Sequence, residues 1–379
     1  MKKALIISNI TKKFQAGHFS MITPLEELGY EVHWAANFSD YKEDISKAPC
    51  KIHQIDFIRN PFNPKNYKAY KELMKLLNDE NFDIVHCQSP IGGLLGRICG
   101  KKANVHKIIY TVHGFHFYKG GSPIKNLIYK FVENYLAKYT NALITINLED
   151  YEYSKKMKFK DNGKSYHING IGVDILNNDI SKTDKEIKLQ ELNLSNEKFI
   201  CITVGELNKN KNHENIIKAI AETKNKNIIL LICGLGNKKT RLKKLTEELQ
   251  VDKQIYFLGF RNDVKQLLEI SDVFILASYR EGLSRSIMEA MAVGLPCIVS
   301  KIRGNVDLID EEKGGYLINP NKSNEMAIKI TNLVNDEKLR NDMGEYNKEK
   351  VKQNDIENVK KEMRKIYEEV IKNEIKQEQ

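Results

Sequence analysis

The chain has 379 residues, 41% of them hydrophobic, which is more than one ordinary core holds and suits two domains of roughly 150 to 200 residues. Its formal net charge of +10 restricts the charged partners worth weighing to phosphorylated small molecules, nucleic acid or an anionic membrane surface. The six cysteines (Cys50, Cys87, Cys99, Cys201, Cys233, Cys297) form no C-x-x-C pair, and no run reaches the ~18 apolar residues of a membrane span, so a disulfide framework, a zinc site and a spanning segment are all set aside in favour of a cytoplasmic protein that is at most peripheral to the membrane.

Residues 4–8 (ALIIS) read as a short buried strand; the start MKKALIISNI is too brief in its apolar run to be a secretory signal. A loop with Gly17 and His18 leads into a helical pattern ending at Gly29, then a second strand over 31–36. The period repeats, with a helix over 71–77, a strand over 83–87, a helix over 93–99 and strands over 107–112 and 143–146. Residues 176–197 are polar, which places a linker at 174–197 between a first domain (1–173) and a second (198–350). There the alternation restarts with strands over 199–204, 228–233, 255–258, 273–276, 297–300 and 315–318. The remainder is helical, and residues 351–379 are long enough to leave the second domain and pack on the first. Alternating strands and helices predict an α/β fold with two doubly wound parallel sheets and ligands at the carboxyl ends of the strands.

Several strand ends carry polar chemistry. After the strand at 273–276 the chain reads ASYREGLSRSIMEAMAVGLP, in which Gly282 turns the chain, Ser284 is a helix N-cap, and Gly294 and Pro296 stop the helix. Free N–H groups at such a helix start suit a phosphate. Glu281 and Glu289 lie eight residues apart, about 10 Å on a helical rise, which matches the reach of an elongated ligand better than a shared proton. Gly205 ends the first strand of the second half and is followed by Lys209 and Lys211, a lysine placed to hold a diphosphate as a point charge. Gly234 opens a weak G-x-G, and Gly259, Phe260 and Arg261 could frame a nucleobase. In the first half His113 and His116 sit in TVHGFHFYKGG, expected to be a mobile loop, and His86 ends another strand. No D-x-D pair is present, so metal-independent chemistry is expected.

Taken together, VGELNKNKNH, CGLG, FLGFRNDV, the Glu281/Glu289 pair and TVHG resemble the retaining GT-B glycosyltransferases called family 4, over about residues 1–335. TVHGFHFYKGG and HCQSPIGGLLGR further resemble members that build bacterial capsules and exopolysaccharides. The resemblance implies two Rossmann-like domains facing a cleft, with a nucleotide-diphosphate sugar, UDP-linked in the favoured reading, as hexosyl donor. It also implies a glycan or lipid-linked glycan acceptor and no cofactor. Glu289 would meet the ribose, Glu281 the sugar, Lys211 and the N–H groups of Gly282, Leu283 and Ser284 the diphosphate, and His113 would approach from the first domain. Gly17, His18 and His86 fall on the acceptor side. Where many members carry an arginine this chain has Glu206, so either Lys209 or Arg285 takes over or the diphosphate relies on Lys211 and the helix start alone.

Lys101, Lys102, Lys107, Lys119, Lys125, Lys130 and Lys138 surround Leu127, Ile128, Tyr129, Phe131 and Tyr135, a pattern that fits either a peripheral membrane face or an ordinary solvated helix. A nucleic-acid binder would leave the two glutamates and the strand-end glycines unexplained. A nucleotide-sugar epimerase on the same architecture is the alternative within enzymes, and a dehydrogenase would want a G-x-G-x-x-G after the first strand that is not there.

Overall fold

The computed structural model describes residues 1–61, 63–175 and 182–372. The chain folds as two units, unit 1 of Met1–Gly172 with Asn354–Gln379, and unit 2 of Val173–Gln353. Each is a wholly parallel sheet with helical crossovers, as the alternating pattern requires.

In unit 1 the strands are β1 (Lys2–Ile10), β2 (Tyr30–Asn37), β3 (Lys51–Gln54), β4 (Ile84–Gln88), β5 (Lys107–Val112), β6 (Ala142–Thr145) and β7 (Lys164–His167). They lie in the order β3-β2-β1-β4-β5-β6-β7. In unit 2 they are β8 (Phe199–Val204), β9 (Ile228–Cys233), β10 (Ile255–Gly259), β11 (Val273–Leu276), β12 (Cys297–Ser300) and β13 (Gly315–Ile318), in the order β10-β9-β8-β11-β12-β13. The inner strands are continuous apolar runs because helices cover both faces; every residue of IILLIC in β9 is buried. The sequence reading missed β3 and β7, whose segments KIHQ and KSYH are short, polar and at the sheet edges, where one-sided cover asks little of hydrophobicity. The strand order reverses between β1 and β4 in unit 1 and between β8 and β11 in unit 2. Those two points are where a doubly wound sheet opens a crevice at its carboxyl ends.

Two expectations are corrected. The stretch read as linker contains a helix, Lys182–Glu191, because Leu189, Leu192 and Leu194 find apolar partners on unit 2; residues 176–181 lie outside the described residues. Arg261, expected near a nucleobase, instead pins that helix, with Nε 2.7 Å from Asp263 Oδ1 and Nη2 2.7 Å from Glu191 Oε1, while Lys188 Nζ reaches Asp263 at 2.7 Å. The cations hold the Asp263 carboxyl well below the usual carboxylate range.

The C-terminal helix does return to the first domain. Ile356–Lys372 packs in unit 1 beside the helix Ala16–Glu27, joined by Arg364 Nη1 to Glu27 Oε2 at 2.7 Å. Of the stretch 351–379 expected to do this, residues 373–379 lie outside the described residues. Tyr367 is one of its anchors: fully buried, its hydroxyl lies 2.7 Å from His86 Nδ1, while His86 Nε2 lies 2.8 Å from Thr111 Oγ1. His86 is therefore a packing residue with both ring nitrogens engaged inside the sheet, not an acceptor-side group. Tyr367→Phe leaves His86 Nδ1 buried without its partner, at a cost of about 1–3 kcal/mol. A thermal melt is expected to show unit 1 unfolding earlier, and an unchanged transition would refute the anchoring role.

Candidate active site

In unit 2 the loops after β8 and β11 converge at the switch point. The β8 loop is set by its own amides. Asn208 Oδ1 accepts the Lys211 N–H at 3.0 Å, Asn210 Nδ2 donates to the Arg280 carbonyl at 2.9 Å, and the Tyr279 N–H donates to the Asn210 carbonyl at 2.8 Å. These bonds bring Lys211 Nζ to 2.8 Å from Glu281 Oε1, with both side chains mostly buried. Gly205 lies over the Lys211 stem, where a Cβ would stand 3.2 Å from Lys211 Cδ and Cε. Gly234 has φ +151°, and a Cβ there would meet the Gly205 carbonyl oxygen at 2.0 Å, so only glycine lets the ends of β8 and β9 approach this closely. Gly259 at the end of β10 accepts the Gly234 N–H at 2.7 Å, and Phe260 beyond it is exposed.

On the other side of Lys211, the turn at Gly282 and Leu283 leads to the helix Arg285–Ala292, which Ser284 precedes in extended conformation. The Ser284 hydroxyl lies 3.1 Å from that of Ser286 and does not close the helix start, so the sequence reading was right about the position and wrong about the capping bond. Ile287, Met288, Ala290 and Met291 bury the inner face of this helix. Glu289 is half-buried, and burial raises its carboxyl pKa against the opposing pull of Arg285, whose Nε donates to Glu289 Oε1 at 2.8 Å. Of the two candidates to offset Glu206, Arg285 is thus engaged along its own helix, and both Glu206 and Lys209 are exposed.

Sequence reasoning missed Arg303 and Gly304, in the loop after β12. Gly304 has φ +80°, and a Cβ there would stand 2.1 Å from the Gly282 carbonyl oxygen. Arg303 is buried and its Nε approaches the Glu281 carbonyl at 3.4 Å. The signal was an Arg-Gly pair in the short turn that follows an apolar strand ending at Ser300.

In unit 1 the ends of β1, β4 and β5 gather a second polar set. Asn9 Oδ1 accepts the Gly92 N–H at 2.7 Å and the Ser89 hydroxyl at 2.8 Å. His113, half-buried just past β5, has Nε2 3.0 Å from Gln88 Oε1. Burial, then nearby His18, depress its imidazolium pKa to about 4, so the ring is neutral at pH 7. His18 Nδ1 accepts the Gln15 N–H at 2.9 Å as part of a capping box on the helix Ala16–Glu27, and its ring stands 5.1 Å from that of Trp34. Gly17 is a contact glycine: a Cβ would stand 2.8 Å from Ile171 Cδ1. The His113 loop is not the mobile one expected. Phe115 and Phe117 are buried and stacked at 4.6 Å, and Asp150 Oδ2 accepts the Phe115 N–H at 3.0 Å. Among the described residues no group of three or more His, Cys, Asp or Glu side chains is placed to hold a metal ion.

Two parallel-sheet Rossmann-like units with these strand orders make the GT-B architecture of sugar-transferring enzymes. Residues 184–350 match the family model for glycosyl transferases group 1, and residues 11–147 that for glycosyl transferase 4-like domains. The chain belongs to the group 1 glycosyltransferases. It is 34% identical over 353 residues to the putative glycosyltransferase EpsD of Bacillus subtilis, covering 91% of this chain and 90% of that one. It is also 34% identical over 310 residues to the UDP-Gal:alpha-D-GlcNAc-diphosphoundecaprenol alpha-1,3-galactosyltransferase of Escherichia coli, covering 79% and 78%. The crystal structure of Anabaena HepE in complex with UDP and glucose shares the fold, with a TM-score of 0.82 at 17% identity over 97% of this chain and all of that one.

Proposed function

We propose that the chain moves a hexosyl group from a UDP-sugar to a lipid-linked glycan, with retention of anomeric configuration and without a metal ion. The observation that carries this reading is the Lys211–Glu281 pair, 2.8 Å apart at the switch point of unit 2, beside a helix start not closed by its Ser284 hydroxyl. A leaving diphosphate develops negative charge that the Lys211 ammonium and the first N–H groups of the helix Arg285–Ala292 stabilise. Glu281 orients Lys211 before the donor arrives and then contacts the sugar. Glu289 receives the ribose hydroxyls once Arg285 yields, and exposed Phe260 offers a face to the base. His113, neutral at pH 7, donates or accepts a hydrogen bond near the sugar without adding charge. In the presence of a chelator, UDP is expected to raise the thermal transition of the protein saturably, and Glu289→Ala to weaken that binding at least tenfold. A transition indifferent to every nucleoside diphosphate would sink the reading.

The lipid-linked acceptor is supported by the E. coli relative, named for a diphosphoundecaprenol substrate, and by one helix of unit 1. On Pro123–Ala137, the side chains of Ile124, Leu127, Ile128, Phe131 and Tyr135 are all exposed along one stripe at helical spacing. Exposed Lys119, Lys125, Lys130 and Lys138 flank it, whereas Lys107 is buried in β5 and leaves the set. An apolar stripe edged with ammonium groups suits an anionic bilayer surface, and no helix among the described residues is long and apolar enough to cross one. Leu127→Glu with Phe131→Glu is expected to abolish co-sedimentation with anionic vesicles and to leave UDP binding unchanged. Equal sedimentation of the variant would remove the membrane from the proposal.

A further inference from the structure

We propose that Gln88 is a positioning residue of the transfer reaction: it holds the His113 ring by Nε2 and leaves Nδ1, as a lone pair, to accept a hydroxyl of the substrate sugar. The inference rests on the proposed place of His113 beside the sugar, and adds to it the direction of the hydrogen bond.

The arrangement is built by β4 and β5. The two strands pair with His86 opposite Ile109 and Gln88 opposite Thr111, and side chains two residues apart on a strand share a face. His86 reaches diagonally to Thr111, with Nε2 2.8 Å from Oγ1. Gln88 repeats the step one rung further on, with Oε1 3.0 Å from His113 Nε2, just past the end of β5 at Val112. Beyond that rung Gly114 turns the chain at φ +109°, a conformation that side chains rarely allow, and Asp150 accepts the Phe115 N–H at 3.0 Å. The backbone of His113 is thus fixed from both sides. The direction of its ring is left to Gln88, which is itself only 6% exposed.

A neutral imidazole has one N–H and one accepting nitrogen, and the partner of one decides the state of the other. A carboxamide oxygen at Nε2 takes the N–H there, so the lone pair stands on Nδ1. It is also the tautomer that a histidine side chain favours in water. Among the described residues nothing is hydrogen-bonded to Nδ1, and it is not one of the sealed atoms. A carboxamide carries no charge, so it does not draw a second proton onto the ring as a carboxylate in its place would. Burial and then His18 also oppose that proton, and His86, the other ring on this face, is itself neutral. A lone pair attracts an O–H and repels a phosphate oxygen. His113 therefore reads a sugar hydroxyl and leaves the diphosphate to Lys211 and the helix start.

The test reads the ring itself, by nuclear magnetic resonance of the full-length protein with isotope-labelled histidine nitrogens at pH 7. The imidazole signals that vanish in His113→Gln are expected to show a protonated Nε2 and an unprotonated Nδ1. Gln88→Glu should protonate both nitrogens, and Gln88→Leu should speed exchange of the Nε2 proton with water at least tenfold. With UDP-galactose as probe, Gln88→Leu is expected to lower the turnover of donor hydrolysis at least tenfold in the parent and to have no further effect in His113→Gln. A proton on Nδ1 in the parent, or a ring indifferent to Gln88→Glu, refutes the inference and leaves stabilisation by UDP, which tests the donor reading separately, untouched. Equal losses from Gln88→Leu in both backgrounds would assign Gln88 to the fold alone and overturn the positioning role.

Discussion

Lys211→Ala is expected to lower the turnover of sugar transfer by about 10²–10³-fold, the usual effect of deleting one preorganised group that meets charge developing in the transition state. The lysine has no obvious substitute. Lys209 is exposed, Arg285 is held by Glu289, and Arg303 lies against the Glu281 carbonyl at 3.4 Å. The fold should survive, because the Asn208, Asn210 and Tyr279 bonds that shape the loop use backbone and amide groups and leave the ammonium out. The substitution also leaves Glu281 without its ion-pair partner, so its carboxylate becomes free to repel a diphosphate, and donor affinity falls along with turnover. Lys211→Arg should restore part of the affinity and little of the rate, since a planar guanidinium does not reproduce the 2.8 Å point contact. Donor hydrolysis measured without acceptor separates the two effects. Turnover within tenfold of the parent would remove Lys211 from the chemistry.

Much of this site was legible because strand ends punctuate sequence. Gly205, Gly234 and Gly259 each follow an apolar run, and at Gly234 the reason is plain, a carbonyl oxygen 2.0 Å from where a side chain would begin. What could not be read was the partner of each polar group. Arg261 sits beside Phe260 in the chain yet is claimed by Glu191, seventy residues away, and His86 ends a strand like His113 yet is sealed by Tyr367 from the far terminus. Both errors have one cause: pairing across long sequence separation depends on the fold, whereas periodicity and turn chemistry are local. The edge strands β3 and β7 were invisible for the complementary reason, since a strand with one neighbour needs no apolar run.

The same buried histidines make stability depend steeply on pH. Burial depresses the pKa of His86 to about 3 and that of His213 to about 4, against about 6.5 in an unfolded chain. Below 6.5 the unfolded state takes up a proton at each that the native state refuses, so each contribution to stability is complete above 6.5 and is lost as the pH falls. At pH 5 the loss is about 2 kcal/mol for each ring, His86 acting on unit 1 and His213 on unit 2. Half-buried His53 and His113, both depressed to about 4, add a smaller share in unit 1 because solvent screens them. Measured against a typical stability of about 5–15 kcal/mol, this destabilises the protein well before its carboxylates titrate. Urea midpoints are therefore expected to fall between pH 7 and pH 5. His86→Gln, which keeps a donor and an acceptor for Tyr367 and Thr111 but cannot titrate, should flatten the slope for unit 1 by about one proton. A slope unchanged in that variant would mean that His86 is protonated in the native state, and that the Tyr367–His86–Thr111 chain is not the sealed contact its distances describe.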